Sequence, residues 1–317
     1  MTVLFGAYGL AATQVENRGR AFQLHFRATQ PLPELTPCDG LASPDSAIDI
    51  DWGEPAGLSN DSPTRDAPFH FNDHGFHLQI PGVASYHVTA LRIAVTPDPD
   101  ADDRSIRTFL FGSAIGALLH LRGLTVLHGS AVALPDGSAA VFCGQSTAGK
   151  STLAAALAGR GHLALADDIT AVRFDADGQA WCLPGLARTK LWRDALDTLG
   201  LADRASAATR VMPDMDKHLL PLATGSQPLP LRRIYEIQAR DEGGPLAFSA
   251  VTGMDKVTLL LTHVYRPSYA QAMGRYPALL RDAASLARQL TVSRIVRPRH
   301  EPTLDAIVGW LESQWAT

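Results

Sequence analysis

The stretch Cys143-Gly144-Gln145-Ser146-Thr147-Ala148-Gly149-Lys150-Ser151-Thr152 decides how the chain is read, because it fits G-x-x-x-x-G-K-[ST]. An apolar run, AAVFC, enters it and an Ala/Leu-rich run leaves it, so the motif sits between an expected strand and an expected helix. Gly144 and Gly149 allow the backbone to turn its N–H groups inward without a Cβ in the way. The helix N-terminus adds partial positive charge at the same place. Residues Gly144 to Thr152 are therefore expected to cradle phosphates, with Lys150 on the outer phosphates and the Ser151 hydroxyl on Mg²⁺. The plainer alternative is a glycine-rich turn with a solvated lysine.

The next informative stretch is ALADD, residues 164–168, whose last carboxylate lies eighteen residues beyond Lys150. A carboxylate at the end of a strand beside a phosphate loop suits a Mg-nucleotide site. Read as neighbours on a strand, Asp167 and Asp168 point to opposite faces and divide the work, one toward metal or water and one toward a substrate hydroxyl. A helix cap or solvated turn is the bland reading of the pair. A guanine-reading N-K-x-D is absent from the sequence, which disfavours a GTP switch.

Around these motifs the chain is that of an ordinary globular protein. Its 317 residues suffice for two domains, with 46% hydrophobic and 19% charged residues. A net charge of −4 and no long basic run argue against nucleic-acid binding. Three scattered cysteines, Cys38, Cys143 and Cys182, form neither a disulfide framework nor a zinc motif. The apolar N-terminus MTVLFGAYGLAATQ lacks a basic lead and reads as a strand, and Phe109 to Leu119 is too short to span a bilayer. A cytoplasmic protein without a membrane partner is expected.

Residues 1–100 read as a β-rich N-terminal domain, with strands at 21–26, 47–52, 69–80 and 90–96 and a polar loop over 36–68 that carries seven acidic residues against one arginine. Asn72-Asp73-His74-Gly75 reads as a hairpin turn that puts His70 and His77 on paired strands, an arrangement with little to offer a metal. PDPDADD, 97–103, marks the boundary. Ser105 is placed to cap a helix ending at Gly123. Strands follow at 125–134 and 139–142, a helix at 150–158 stopped by Gly159, strands at 163–167, 169–174 and around QAWCL, and then helices at 253–264, 277–290 and 303–315 with strands at 231–237 and 294–298.

The ordered set LHGSAV (127–132), CGQSTAGKST (143–152), RGHLALADD (160–168) and PGLARTKLW (184–192) resembles the HPr kinase/phosphorylase superfamily, and most of all its kinase-like branch found with peptide-modification gene clusters, including some for lasso peptides. That resemblance implies an α/β fold: a P-loop core with a mixed sheet over 104–317, related to phosphoenolpyruvate carboxykinase, behind the smaller β-rich domain. It implies an ATP- and Mg²⁺-dependent kinase acting on a serine hydroxyl of a peptide or small protein, a lasso-type precursor or mature peptide leading, and a possible homo-oligomer. Carried over by position, it makes Asp168 the proton acceptor, Lys150 the P-loop lysine, Ser151 a metal ligand, His128 the active-site histidine and Asp167 a supporting metal ligand. The chain has Cys182 where the parent family has a metal-binding glutamate and ends its loop Lys-Ser-Thr rather than Lys-Ser-Glu, which sets aside the reverse phosphorylase reaction; Asp194 is the first candidate to replace the glutamate.

Arg188 and Lys190 lie two apart, so an extended segment would present both cations to one phosphate. Lys217, with Arg232 and Arg233 behind it, is a further candidate. Two other readings stay open: a small-molecule phosphotransferase on the same core, and a nucleotide-sensing module that does no chemistry.

Overall fold

A computed structural model of the chain describes residues 17–38, 44–53, 68–242 and 244–316. The expected strand over residues 1–14 lies outside them. The described chain is mixed α/β, built on two large sheets.

The first sheet comprises β1 (Asn17–Ala21), β2 (Leu24–Ala28), β3 (Thr36–Pro37), β4 (Ala47–Trp52), β5 (Phe69–Asn72), β6 (Gly75–Ile80), β7 (Ala84–Val88) and β8 (Arg92–Pro97). Their order is β3-β1-β2-β4-β8-β7-β6-β5, antiparallel at both ends and parallel where β4 meets β2 and β8. The expected single strand over 21–26 is instead a tight hairpin: Phe22 and Gln23 take φ of 55° and 58°, the two-residue turn whose twist suits antiparallel strands. The alternating pattern A-F-Q-L-H-F hides the turn. What holds two non-glycine residues there is burial of Phe22, whose N–H donates to the Pro184 carbonyl at 2.7 Å.

Next come α1 (Asp103–Phe109), a π-helical turn over Leu110–Ala114, and α2 (Ile115–Leu121). The cap is Asp102, not Ser105: its carboxylate accepts the Arg104 and Ser105 N–H groups, and Ser105 is buried inside the helix. Unbroken apolar sequence conceals the π turn. One hydrophobic cluster crosses residues 97–103, joining Phe26, Ile50, Phe76 and Tyr86 of the first sheet to Leu110, Phe111 and Leu118, and onward to Val126, Ile169 and Leu183.

The second sheet contains β9 (Thr125–Ala133), β10 (Ala139–Gly144), β11 (Ala164–Ala166), β12 (Ile169–Phe174), β13 (Ala180–Cys182), β16 (Leu229–Arg240), β17 (Ala247–Val251) and β18 (Thr291–Pro298). Pairings β10–β9, β9–β12, β12–β13, β13–β16 and β16–β10 close five strands into a ring. From β16 the sheet continues to β18 and β17. A separate hairpin pairs β14 (Arg188–Trp192) with β15 (Lys217–Pro221), beside α4 (Arg193–Thr198). Helices α5 (Met254–Thr262) and α7 (Tyr276–Gln289) cover one side, with α6 (Pro267–Ala272) between them in sequence. Helices α3 (Lys150–Gly159) and α8 (Leu304–Trp315) cover the other, through Leu153, Leu157, Ile307 and Leu311. Helix α3 takes in Gly159, and the chain breaks away at Gly161, φ +97°.

Three of these strands, β10, β16 and β18, run parallel. Their carboxyl ends gather the 144–149 loop, Ile237 and residues 297–299, the edge of a parallel sheet where ligands bind.

Candidate phosphotransfer site

The loop from Gly144 to Gly149 leaves β10 and enters α3. Gly144 is required twice over: its φ is +151°, and a Cβ there would sit 2.5 Å from the Ile237 carbonyl oxygen. Lys150 folds back over the loop, its Nζ donating to the Gly144 and Gln145 carbonyls at 2.9 Å each. Burial lowers its pKa, with the neighbouring acids opposing. The ammonium thus waits where outer phosphates would replace two neutral carbonyls.

Loop residues Ser146 to Thr152 line a cleft of about 860 Å³, with Asp168, Lys190, Trp192, Asp194, Lys217, Arg297 and Arg299 around it. Sequence reasoning missed the two arginines. Arg297 Nε donates to the Ala148 carbonyl at 3.2 Å and an Arg299 Nη to Thr147 Oγ1 at 3.2 Å, so both grip the loop from β18 and the residues after it. Only the parallel pairing of β16 with β18 brings them there, across about 150 residues of chain, and no local pattern marks them.

Asp167 and Asp168 are not strand residues. β11 ends at Ala166, and the pair forms a bend in which Asp168 takes φ +72°. Their expected alternation is lost and their environments diverge. Asp167 turns inward: Oδ1 accepts from Ser130 Oγ at 2.6 Å, and Oδ2 accepts from Thr189 Oγ1 and the Lys190 N–H at 2.9 Å each. Where a metal contact was expected, the described partners of Asp167 are three hydrogen-bond donors that fix the bend to β14, and it does not line the cleft.

Asp168 faces outward. Its carboxylate meets Lys190 Nζ at 2.8 Å and lies 3.4 Å from His128 Nδ1, which also donates to the Asp168 carbonyl at 3.1 Å. Burial would raise this carboxyl, but the Lys190 charge and hydrogen bond outweigh it, with His128 and Lys217 adding, and hold it well below the usual carboxylate range. His128 is lowered by burial first and by Lys150 next, so it is neutral at pH 7. Lys217 is lowered by burial; it stacks its ammonium 5.4 Å over the Trp192 ring.

Arg188 parts from Lys190. Buried, it lies 3.7 Å from Glu34, which Arg107 meets more closely at 2.9 Å, and 5.0 Å over the Phe111 ring, and it does not line this cleft. Of the two cations expected to share one phosphate only Lys190 lines the cleft, while Arg188 lies by Glu34, in the turn between β2 and β3. Arg232 and Arg233 are likewise absent from the cleft lining. Cys182 is fully buried in β13, its thiol pushed up to about 12 by burial, whereas Asp194 stands on the cleft wall. Among the described residues no three His, Cys, Asp or Glu side chains are grouped to hold a metal.

A second cavity, about 450 Å³, adjoins the cleft at Asp168. Its walls are α1 and the π turn (Thr108, Phe109, Gly112, Ser113), the start of the phosphate loop (Gly144, Gln145) and the segment Thr262–Pro267. That segment is pinned against β9, where the His128 N–H donates to the His263 carbonyl and the Tyr265 N–H to the Val126 carbonyl, both at 2.8 Å. His128, Asp168 and Lys190 line both spaces.

No family model matches the chain, and no curated protein matches it in sequence. Among solved structures it is similar to the HPr(Ser) kinase/phosphatase from Coxiella burnetii, at 12% identity and a TM-score of 0.29, over 60% of this chain and 89% of that one. Among the described residues no helix is long and apolar enough to cross a membrane.

Proposed function

We propose that the protein is an ATP-dependent kinase that moves the γ-phosphoryl group to a hydroxyl. The observation that carries this reading is the meeting of two spaces at one carboxylate: a cleft over a phosphate loop and a second cavity share His128, Asp168 and Lys190. A nucleotide sensor needs the cleft alone. The larger space is of nucleotide size, since small-molecule sites occupy roughly 300–1,000 Å³.

In the proposed reaction the acceptor oxygen forms its bond to the γ-phosphorus as the bond to the β-bridging oxygen breaks, and ADP leaves with that electron pair. The loop N–H groups and Lys150 hold the triphosphate, and Arg297 and Arg299 keep the loop in shape. Asp168 orients the attacking hydroxyl and takes its proton, while Lys190 and neutral His128 keep the carboxylate aimed. Ser151 would hold Mg²⁺ together with the nucleotide, with Asp194 a carboxylate on the same cleft wall, and the metal would offset phosphate charge. The rest is positioning and fixed charge.

The motifs favour serine in a peptide or small protein as the acceptor, with a ribosomally made, lasso-type peptide in the lead, acted on in the cytoplasm and in the forward direction. The modest size of the second cavity, about 450 Å³, keeps a small-molecule acceptor beside it. Incubation with MgATP and serine-containing precursor peptides, read by mass spectrometry, tests the proposal. Gain of one phosphoryl group that disappears with Asp168→Asn supports it; nucleotide binding without transfer to any hydroxyl returns the protein to the sensor class.

A further inference from the structure

The second cavity has a chemistry of its own. Its wall includes the π turn, a widened helical turn of a kind that recurs at functional sites. Ser113 on that turn is 1% exposed, and its Oγ has no hydrogen-bond partner. The other hydroxyls on the wall have partners: Thr108 Oγ1 donates to the Val211 carbonyl at 3.0 Å, Thr262 Oγ1 donates to the Thr258 carbonyl at 2.8 Å, and the Tyr265 phenol oxygen accepts from the Arg266 guanidinium. A buried, unpartnered hydroxyl is costly unless something brings it a partner.

Charge points the same way. The charged residues of the lining are Asp168, Lys190 and Arg266, one carboxylate against two cations, and Lys190 is already spent on Asp168. Arg266 lies over the Tyr265 and Tyr269 rings at 5.7 and 5.3 Å, with no carboxylate in ion-pair range among the described residues. Tyr265 in turn packs into a gap made by Gly116, where a Cβ would lie 2.6 Å from its ring. The wall that carries Arg266 is therefore built rigidly against α2.

Resting on the kinase reading, we propose that this cavity is the acceptor subsite and that it selects a hydroxyl carried a few bonds from an anionic group. Asp168 receives the hydroxyl, Arg266 the anion, and Ser113 Oγ a polar atom between them. The same chemistry is found in a free hydroxy acid or sugar phosphate and in a peptide serine beside an acidic residue.

The test uses the full chain with MgATP and two sets of acceptors. The free set is D-glycerate, L-serine and glycerol 3-phosphate, with glycerol as the uncharged control. The peptide set is a short serine peptide flanked by aspartate, with an alanine-flanked control. Phosphorylated product is followed by mass spectrometry, and whichever set reacts identifies the source. Anionic acceptors are expected to exceed their neutral controls by about tenfold or more, the size of a charge-assisted contact. Arg266→Gln should erase that preference, and Ser113→Ala should raise acceptor KM with little change in kcat.

Gly112→Leu fills the cavity, since a Cβ at Gly112 would meet only Tyr265 Oη, at an ordinary 3.6 Å. It should abolish transfer while MgATP affinity stays within about threefold. Neutral and anionic acceptors used alike, transfer unchanged in Gly112→Leu, or no product from either set with MgATP bound overturns the subsite. Should Gly112→Leu not fold, Arg266→Gln and Ser113→Ala decide it. Wild-type protein that does not bind MgATP would refute the kinase reading itself, which is a different result.

Discussion

Asp168→Asn keeps the side chain's shape and removes the one carboxylate that, among the described residues, is common to cleft and cavity. Lys190 loses an ion pair at 2.8 Å, with both partners mostly shielded from water, and His128 loses the carboxylate at 3.4 Å. At an effective dielectric of about 20 the Lys190 pair alone represents roughly 6 kcal/mol of gross attraction, most of it returned by solvation when the pair is broken. Loss of a positioned proton acceptor costs ~10²–10⁴ in rate, or about 2.7–5.4 kcal/mol of barrier. Nucleotide affinity should move the other way. A negative charge beside the phosphates is gone and Lys190 is freed to meet them, so MgATP binds as tightly or more tightly. Coupled measurement of ADP release gives the rate, and displacement of a fluorescent nucleotide gives the affinity. Turnover within about threefold of wild type, or affinity falling in step with turnover, would refute the reasoning.

Other perturbations separate the parts. Asp167→Asn sets an amide against three donors or leaves one unpaired, so it should destabilise the fold by about 1–3 kcal/mol, seen as a lower urea midpoint, without a raised Mg²⁺ requirement. Gly144→Ala, which forces a Cβ against the Ile237 carbonyl, should lose nucleotide binding, whereas Gly161→Ala, away from the loop and with open space around it, should strain only the helix end. The stack of His70, His77 and His87, ring centroids 4.5 and 4.4 Å apart, gives a pH signature. Burial, with His87, His70 and His74 adding, lowers His77 to about 4, so between about pH 6.5 and 4 the unfolded chain binds a proton that the fold refuses. Stability therefore falls as pH drops through that window, and urea midpoints for His77→Gln should fall less than wild type over the same range.

The sequence was most legible where a local rule sufficed. The loop carries its own glycines, the hairpin at 72–75 its turn residues, and LHGSAV and ALADD their strand lead-ins, so His128, Asp168 and Lys150 were found together. Legibility ended where long-range pairing decides. Arg297 and Arg299 reach the loop only through β18, and Arg188 lies by Glu34, in the turn between β2 and β3. Backbone shape hid the rest. A positive φ at Asp168 broke the alternation assumed for the two aspartates, and positive φ at Phe22 and Gln23 folded one expected strand into two. The π turn left no trace in an apolar run, although it supplies a wall of the second cavity.

The central claim is that the 143–152 loop holds the phosphates of a nucleotide that reacts beside Asp168. Calorimetric titration of MgATP into wild-type protein and Lys150→Ala tests it most directly. The account predicts saturable one-site binding to the wild type and at least about a tenfold loss in the variant, as expected for removal of a charge-assisted phosphate contact. Equal affinity in the two proteins, or no binding by the wild type, would contradict it.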